Sequence, residues 1–121
     1  MNTIELKFPF PPSVNHSHSV GKRKYFLGAK SLEFIDNAIL ILNDWVKRHS
    51  DFTLIATPVR VIMILHEKNC RRRDILNYNK LLLDTFKGIL WKDDVLIDEF
   101  FVKRGEVLSN NPHVEIIIKI L

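Results

Sequence analysis

Cysteine is nearly absent from this chain. Cys70 is the one thiol in 121 residues, so no internal disulfide can form and no thiolate zinc site can be assembled. Redox chemistry has little to work with. Glycine is scarce too, with four residues in all, and none belongs to a Gly-rich phosphate loop. A Gly-x-Ser-x-Gly elbow and a His-Glu-x-x-His helix are also missing. These absences disfavour serine-hydrolase and nucleotide-driven chemistry, and no nucleotide cofactor is expected. No apolar run approaches the roughly 18 residues of a transmembrane helix. Glu5 and Lys7 stand where a signal peptide would need an apolar stretch. The expectation is a soluble, cytoplasmic protein with no membrane partner.

Hydrophobic residues make up 46% of the chain, enough for one real core over residues 1–121 and too little length for a separate substrate domain. Eighteen Lys and Arg against fourteen Asp and Glu give a net charge of +4. That excess is modest, but it is unevenly distributed. Positive charge gathers at Lys22, Arg23 and Lys24 and again at Arg71, Arg72 and Arg73, while acidic residues concentrate between Asp93 and Glu99. Basic clusters of this kind suit phosphate contacts, and they equally suit solvated loops.

Ile4, Leu6 and Phe8 alternate with Thr3, Glu5 and Lys7, the period of a strand with one buried face, and Pro9, Pro11 and Pro12 end it. Residues 13–29 are small, polar and basic and are expected to form a long loop. Ser31 is placed to cap a helix whose apolar face comprises Phe34, Ile35, Ala38, Ile39, Ile41, Leu42, Trp45 and Val46, ending at Lys47, Arg48 and His49. Val59 to Leu65 is a β-branched apolar run suited to a central strand. A second helix is predicted over about 75–87, capped by Asp74, burying Ile75, Tyr78, Leu82 and Phe86, and stopped by Gly88. Val95 to Arg104 and His113 to Leu121 read as two strands, joined as a hairpin through Gly105 and Ser109-Asn110-Asn111-Pro112. The predicted fold is α+β, a mixed sheet with two helices in the order β-α-β-α-β-β.

Three acidic positions could carry chemistry. Asp74 precedes the second helix, and Asp93 and Asp94 follow it. A helix of about thirteen residues is roughly 20 Å long, so these carboxylates meet within one copy only if the chain folds back across the sheet. Clustered, they suit Mg²⁺, a hard cation that takes oxygen ligands and activates water beside a phosphate. Taken singly, Asp74 reads as an N-cap and Asp93-Asp94 as a polar turn. Asp74, Asn77, Lys80 and Asp84 share one polar helix face. Lys80 on that face suits stabilisation of phosphoryl charge, but its spacing to Asp84 also makes an ordinary surface pair, the simpler reading. His16 and His18 are compatible with a metal site yet have no further ligands nearby.

Taken together, the motifs resemble the RusA family of phage and bacterial Holliday junction resolvases along the whole chain. Pro11-Pro12-Ser13-Val14-Asn15-His16 and Gly21-Lys22-Arg23 are similar to its N-terminal motif. Arg71-Arg72-Arg73-Asp74, Asn77 and Lys80, then Trp91-Lys92-Asp93-Asp94, resemble its Arg-Arg-Asp-x-Asp-Asn-x-x-Lys and Trp-x-Asp-Asp segments at matching separation. The resemblance implies that Asp74 and Asp94 are catalytic ligands of Mg²⁺, or Mn²⁺ in its place, that Asp93 supports them as a third metal-site carboxylate, and that Lys80 assists. It implies DNA contacts from Asn15, Lys22, Arg23, Lys24, Arg71, Arg72 and Arg73, and a homodimer acting on a four-way junction in DNA recombination and repair.

One departure stands out, because the family's second aspartate falls here on Leu76, which offers no oxygen ligand. Asn77 matches an asparagine the family already has and is no obvious substitute. Two readings follow: a Mg²⁺-dependent structure-selective endonuclease, or a weak or inactive relative that binds junctions or inhibits another nuclease. A small RNA-binding protein ranks last, for want of interleaved stacking aromatics.

Overall fold

The computed structural model describes residues 2–12, 18–21, 24–70, 75 and 78–121, with backbone alone for 18–21 and 24–27. Strand β1, Thr3–Pro9, buries Ile4, Leu6 and Phe8 and exposes the residues between them, as its alternation requires. The stretch expected to be loop instead contains a two-stranded antiparallel hairpin, β2 (His18–Gly21) and β3 (Lys24–Leu27). Its register pairs Gly21 with Lys24, and Lys22 and Arg23 lie outside the described residues.

Helix α1, Ala29–Arg48, buries Phe34, Ala38, Leu42 and Trp45 on one face. Its N-cap is Gly28, not Ser31. The Gly28 carbonyl accepts from the Ser31 and Leu32 amides, so the helix opens before the serine can cap it. Ser31 lies inside the first turn, buried, and its hydroxyl has no hydrogen-bond partner among the described residues. Strand β4, Val59–His66, then leads to helix α2, Asn79–Phe86. Helix α2 begins later than its periodicity predicts, with Tyr78 at the N-cap, because Tyr78 is held out of the helix against the core, 4% exposed and edge-on to Phe10 at 5.0 Å. Asp74 lies outside the described residues. Tyr78, Leu82 and Phe86 are buried as expected, and Leu83 packs partly against the same core.

A 3-10 turn, Asp94–Leu96, opens strand β5, Ile97–Arg104, and strand β6 is His113–Ile120. The four long strands form one mixed sheet in the order β1-β6-β4-β5. Strands β5 and β6 do not form the expected hairpin, because β4 lies between them, parallel to β5 and antiparallel to β6. The reason is physical: Val59, Val61, Met63 and Leu65 are fully buried, and such a strand is stable only with ladder partners on both edges. The β5–β6 connection therefore crosses the end of β4, fixed by Gly105 N–H to the Leu65 carbonyl at 2.9 Å and Leu108 N–H to the Glu67 carbonyl at 2.8 Å. Glycine is required at that crossing, since a Cβ on Gly105 would stand 2.6 Å from Cε1 of His66. No described helix is long and apolar enough to cross a membrane.

Arg60 and Glu99 are register partners across β4 and β5 and join at 2.6 Å, Nε to Oε2. The hydrogen bond from Arg60 holds the Glu99 carboxyl below its ordinary range, outweighing the opposing effect of burial with further help from the Arg60 charge. A carboxyl depressed in the folded state stabilises above its unfolded pKa, and that contribution is lost as pH falls through the folded value. Both side chains are partly exposed, so the effect is modest. Glu99→Gln should lower the melting temperature at about pH 7, with the gap from wild type closing as pH falls below the ordinary glutamate range. Calorimetric melts across that range check it, and a gap persisting in acid would assign the loss to packing.

Candidate active site around Asp93 and Asp94

The carboxylate end of the chain is built from a tight turn behind α2. Gly88 adopts a φ of +87°, a conformation open to glycine at little cost, and its amide donates to the Trp91 carbonyl at 2.6 Å. The Leu90 amide returns to the Phe86 carbonyl at 2.9 Å, and the Leu90 carbonyl accepts from Ile55 at 2.8 Å. These bonds drive Trp91 into the core, where it is fully buried and edge-on to Phe86 at 5.7 Å.

A buried indole has one polar atom, and that atom needs an acceptor. Trp91 Nε1 donates to Asp94 Oδ1 at 2.8 Å. Asp93 caps the 3-10 turn, with Oδ1 accepting from the Val95 amide at 3.2 Å. Each aspartate thus spends one oxygen on positioning, and among the described residues neither second oxygen has a hydrogen-bond partner. Asp93 is exposed and Asp94 half-buried, so hard anionic donors are held at the edge of solvent. That donor chemistry fits a hard divalent cation such as Mg²⁺.

Lys80 is placed on the exposed side of α2, with Nζ 3.5 Å from Asp84 Oδ2, the surface pair its spacing allowed. Parallel pairing of Val59 with Ile97 and of Leu65 with Arg104 sets Asp94 beside the beginning of β4, and the chain leaves β4 at the opposite end. Helix α2 then packs beside the end of β1, with Tyr78 against Phe10 and Phe86 against Phe8 at 5.8 Å. Asn15, His16, Lys22, Arg23, Arg71, Arg72, Arg73, Asp74, Leu76 and Asn77 lie outside the described residues, and Lys24 is described by its backbone in β3 alone. Sequence reasoning quoted Trp91 only as part of a motif and missed its role, for which the one signal was an indole three positions before Asp94.

A four-stranded mixed sheet with two helices and an aspartate pair at the edge of solvent defines the class of small single-domain α+β proteins. Comparison places the chain within it: residues 9–119 match the RusA endodeoxyribonuclease family, and the protein belongs to that family. Similar relatives include proteins named crossover junction endodeoxyribonuclease RusA from Shigella sonnei strain Ss046, from Escherichia coli K12 and from Enterobacteria phage 82. Each is 29% identical over 108 residues, spanning 88% of this chain and 87% of the relative.

The Trp91–Asp94 bond is open to a double-mutant cycle. Asp94→Ala should cost about 1–3 kcal/mol with Trp91 in place, because it strands a buried donor. In a Trp91→Phe background the same change should cost much less. Urea denaturation of the four proteins measures the difference, and equal costs would mean that the bond contributes nothing.

Proposed function

We propose that the chain acts over residues 1–121 as one cytoplasmic crossover junction endodeoxyribonuclease domain, a homodimer that binds four-way DNA junctions and hydrolyses phosphodiesters in recombination and repair. The observation that carries this reading is the family match over residues 9–119, which spans the aspartate pair whose second oxygens have no partner among the described residues. Asp74 and Asp94 are assigned as ligands of Mg²⁺ or Mn²⁺, with Asp93 in support. When bound, the ion polarises water and offsets charge on the scissile phosphate. Trp91 orients Asp94, and Asp93 stiffens the turn that presents it. Lys80, freed from its exposed pair with Asp84, stabilises phosphoryl charge. Asn15, Lys22, Arg23, Lys24 and Arg71 to Arg73 contact the DNA backbone, so binding weakens steeply with salt.

Leu76 favours a second reading, a junction-binding or inhibitory protein of weak or absent activity, because it stands where the family's second aspartate would be. One experiment separates the two: wild type, Asp94→Asn and Leu76→Asp are each incubated with a synthetic four-way junction, with and without Mg²⁺ or Mn²⁺. An active site complete without the second aspartate gives divalent-dependent cleavage by wild type, lost in Asp94→Asn and not improved by Leu76→Asp. A degenerate site gives junction binding without cleavage, and Leu76→Asp then restores cutting. Equal affinity for junction and linear duplex, or salt-insensitive binding, would contradict both.

A further inference from the structure

Two histidines and a glutamate converge at the end of β4, apart from the residues assigned to the nuclease site. His66 and His113 are register partners across β4 and β6, with rings stacked at 4.6 Å, and Glu115 lies on the same face of β6 two residues beyond His113. His66 Nε2 lies 2.7 Å from Glu115 Oε1, and His113 Nε2 lies 3.8 Å from the same oxygen. A ligand atom from each of the three residues lies within 4.8 Å of the other two.

The opposite nitrogens settle the tautomers. His66 Nδ1 is 3.0 Å from the Glu106 carbonyl, and His113 Nδ1 is 2.8 Å from the Asn111 carbonyl. A carbonyl oxygen can only accept, so each Nδ1 carries its hydrogen and donates, and each neutral imidazole presents Nε2 as a bare lone pair. With both rings neutral, two lone-pair nitrogens and a carboxylate oxygen face one another, whereas a proton on His66 Nε2 lets it donate to Glu115 Oε1 at 2.7 Å. His113 Nε2 is buried and has no hydrogen-bond partner among the described residues, and the two histidine side chains are 11% and 12% exposed. Acceptors gathered this closely are reconciled by a proton or by a metal ion between them.

We propose that His66 Nε2, His113 Nε2 and Glu115 Oε1 bind a transition-metal ion of the Zn²⁺ class. Imidazole nitrogen with one carboxylate suits a borderline ion and not the hard Mg²⁺ of the aspartate pair. Imidazoles that donate Nδ1–H to backbone carbonyls while offering Nε2 are the usual outer support of such sites. Closing three donors to about 2.0–2.2 Å from one ion takes side-chain shifts on the order of an ångström. The ion would clamp β4 to β6 and, through the Glu106 and Asn111 carbonyls, hold the crossover that Gly105 lets pass against His66.

The test is titration of the chelator-treated, full-length protein with Co²⁺, whose visible d–d bands report coordination by nitrogen and oxygen. One equivalent should bind with bands that Zn²⁺ abolishes, and affinity should fall more than about tenfold in Glu115→Gln and in His113→Asn. Asp94→Asn should leave the bands unchanged. In wild type, long-range ¹H–¹⁵N spectra should show Zn²⁺ shifting Nε2 of both histidines while Nδ1–H persists, a readout that needs no variant to fold. Absence of bands in wild type, bands that survive both ligand substitutions, or Nε2 signals unmoved by Zn²⁺ would overturn the proposal and leave a proton as the shared cation.

Discussion

The indole N–H of Trp91 is the constraint on which the rest of the site depends. Full burial gives Trp91 its packing against Phe86, but it also removes the N–H from water, and an unpaired donor there costs about 1–3 kcal/mol. Asp94 supplies the acceptor. A core demand for one oxygen thereby fixes the carboxylate of a half-buried aspartate. Gly88 makes this possible upstream by turning the chain sharply enough for Trp91 to return beneath the helix it has just left.

The same turn decides where β5 begins. With Asp93 capping the 3-10 turn, Ile97 enters the sheet beside Val59 and runs parallel to β4. Strand β4 is then enclosed by β5 and β6, and its apolar residues share one core with the buried residues of α1 and α2. The crossover to β6 passes over the end of β4, where His66 and His113 meet. Packing in the core, the presentation of Asp94 and the assembly of the histidine cluster are thus successive consequences of one strand order.

Much of this was legible in the sequence where the signal is local. The alternation of Ile4, Leu6 and Phe8, the helical face from Phe34 to Trp45, and the unbroken apolar run of β4 each report burial directly, and each forms the element its period predicts. Adjacency is different in kind. Ser109-Asn110-Asn111-Pro112 marks a reversal of the chain but cannot say which strand lies beside which, so a hairpin was read where a crossover stands. Ser31 and the start of α2 were displaced by tertiary burial, which overrides capping preference. At the site, spacing alone gave Asp93-Asp94 as a turn and Lys80 as a surface pair, and both of those descriptions hold alongside the family motif. The part no motif expresses is the bond from Trp91, because it follows from the burial of an indole.

The central claim is that a core tryptophan holds Asp94 as a ligand for a divalent cation. The most direct measurement is paramagnetic broadening of the Trp91 indole ¹H–¹⁵N signal by Mn²⁺, with the signal assigned through Trp91→Phe and Asp94→Asn as control. Sub-stoichiometric Mn²⁺ should broaden that signal in wild type, and excess Mg²⁺ should restore it. In Asp94→Asn the broadening should be lost. An indole signal untouched by Mn²⁺, or broadened equally in Asp94→Asn, would contradict the account.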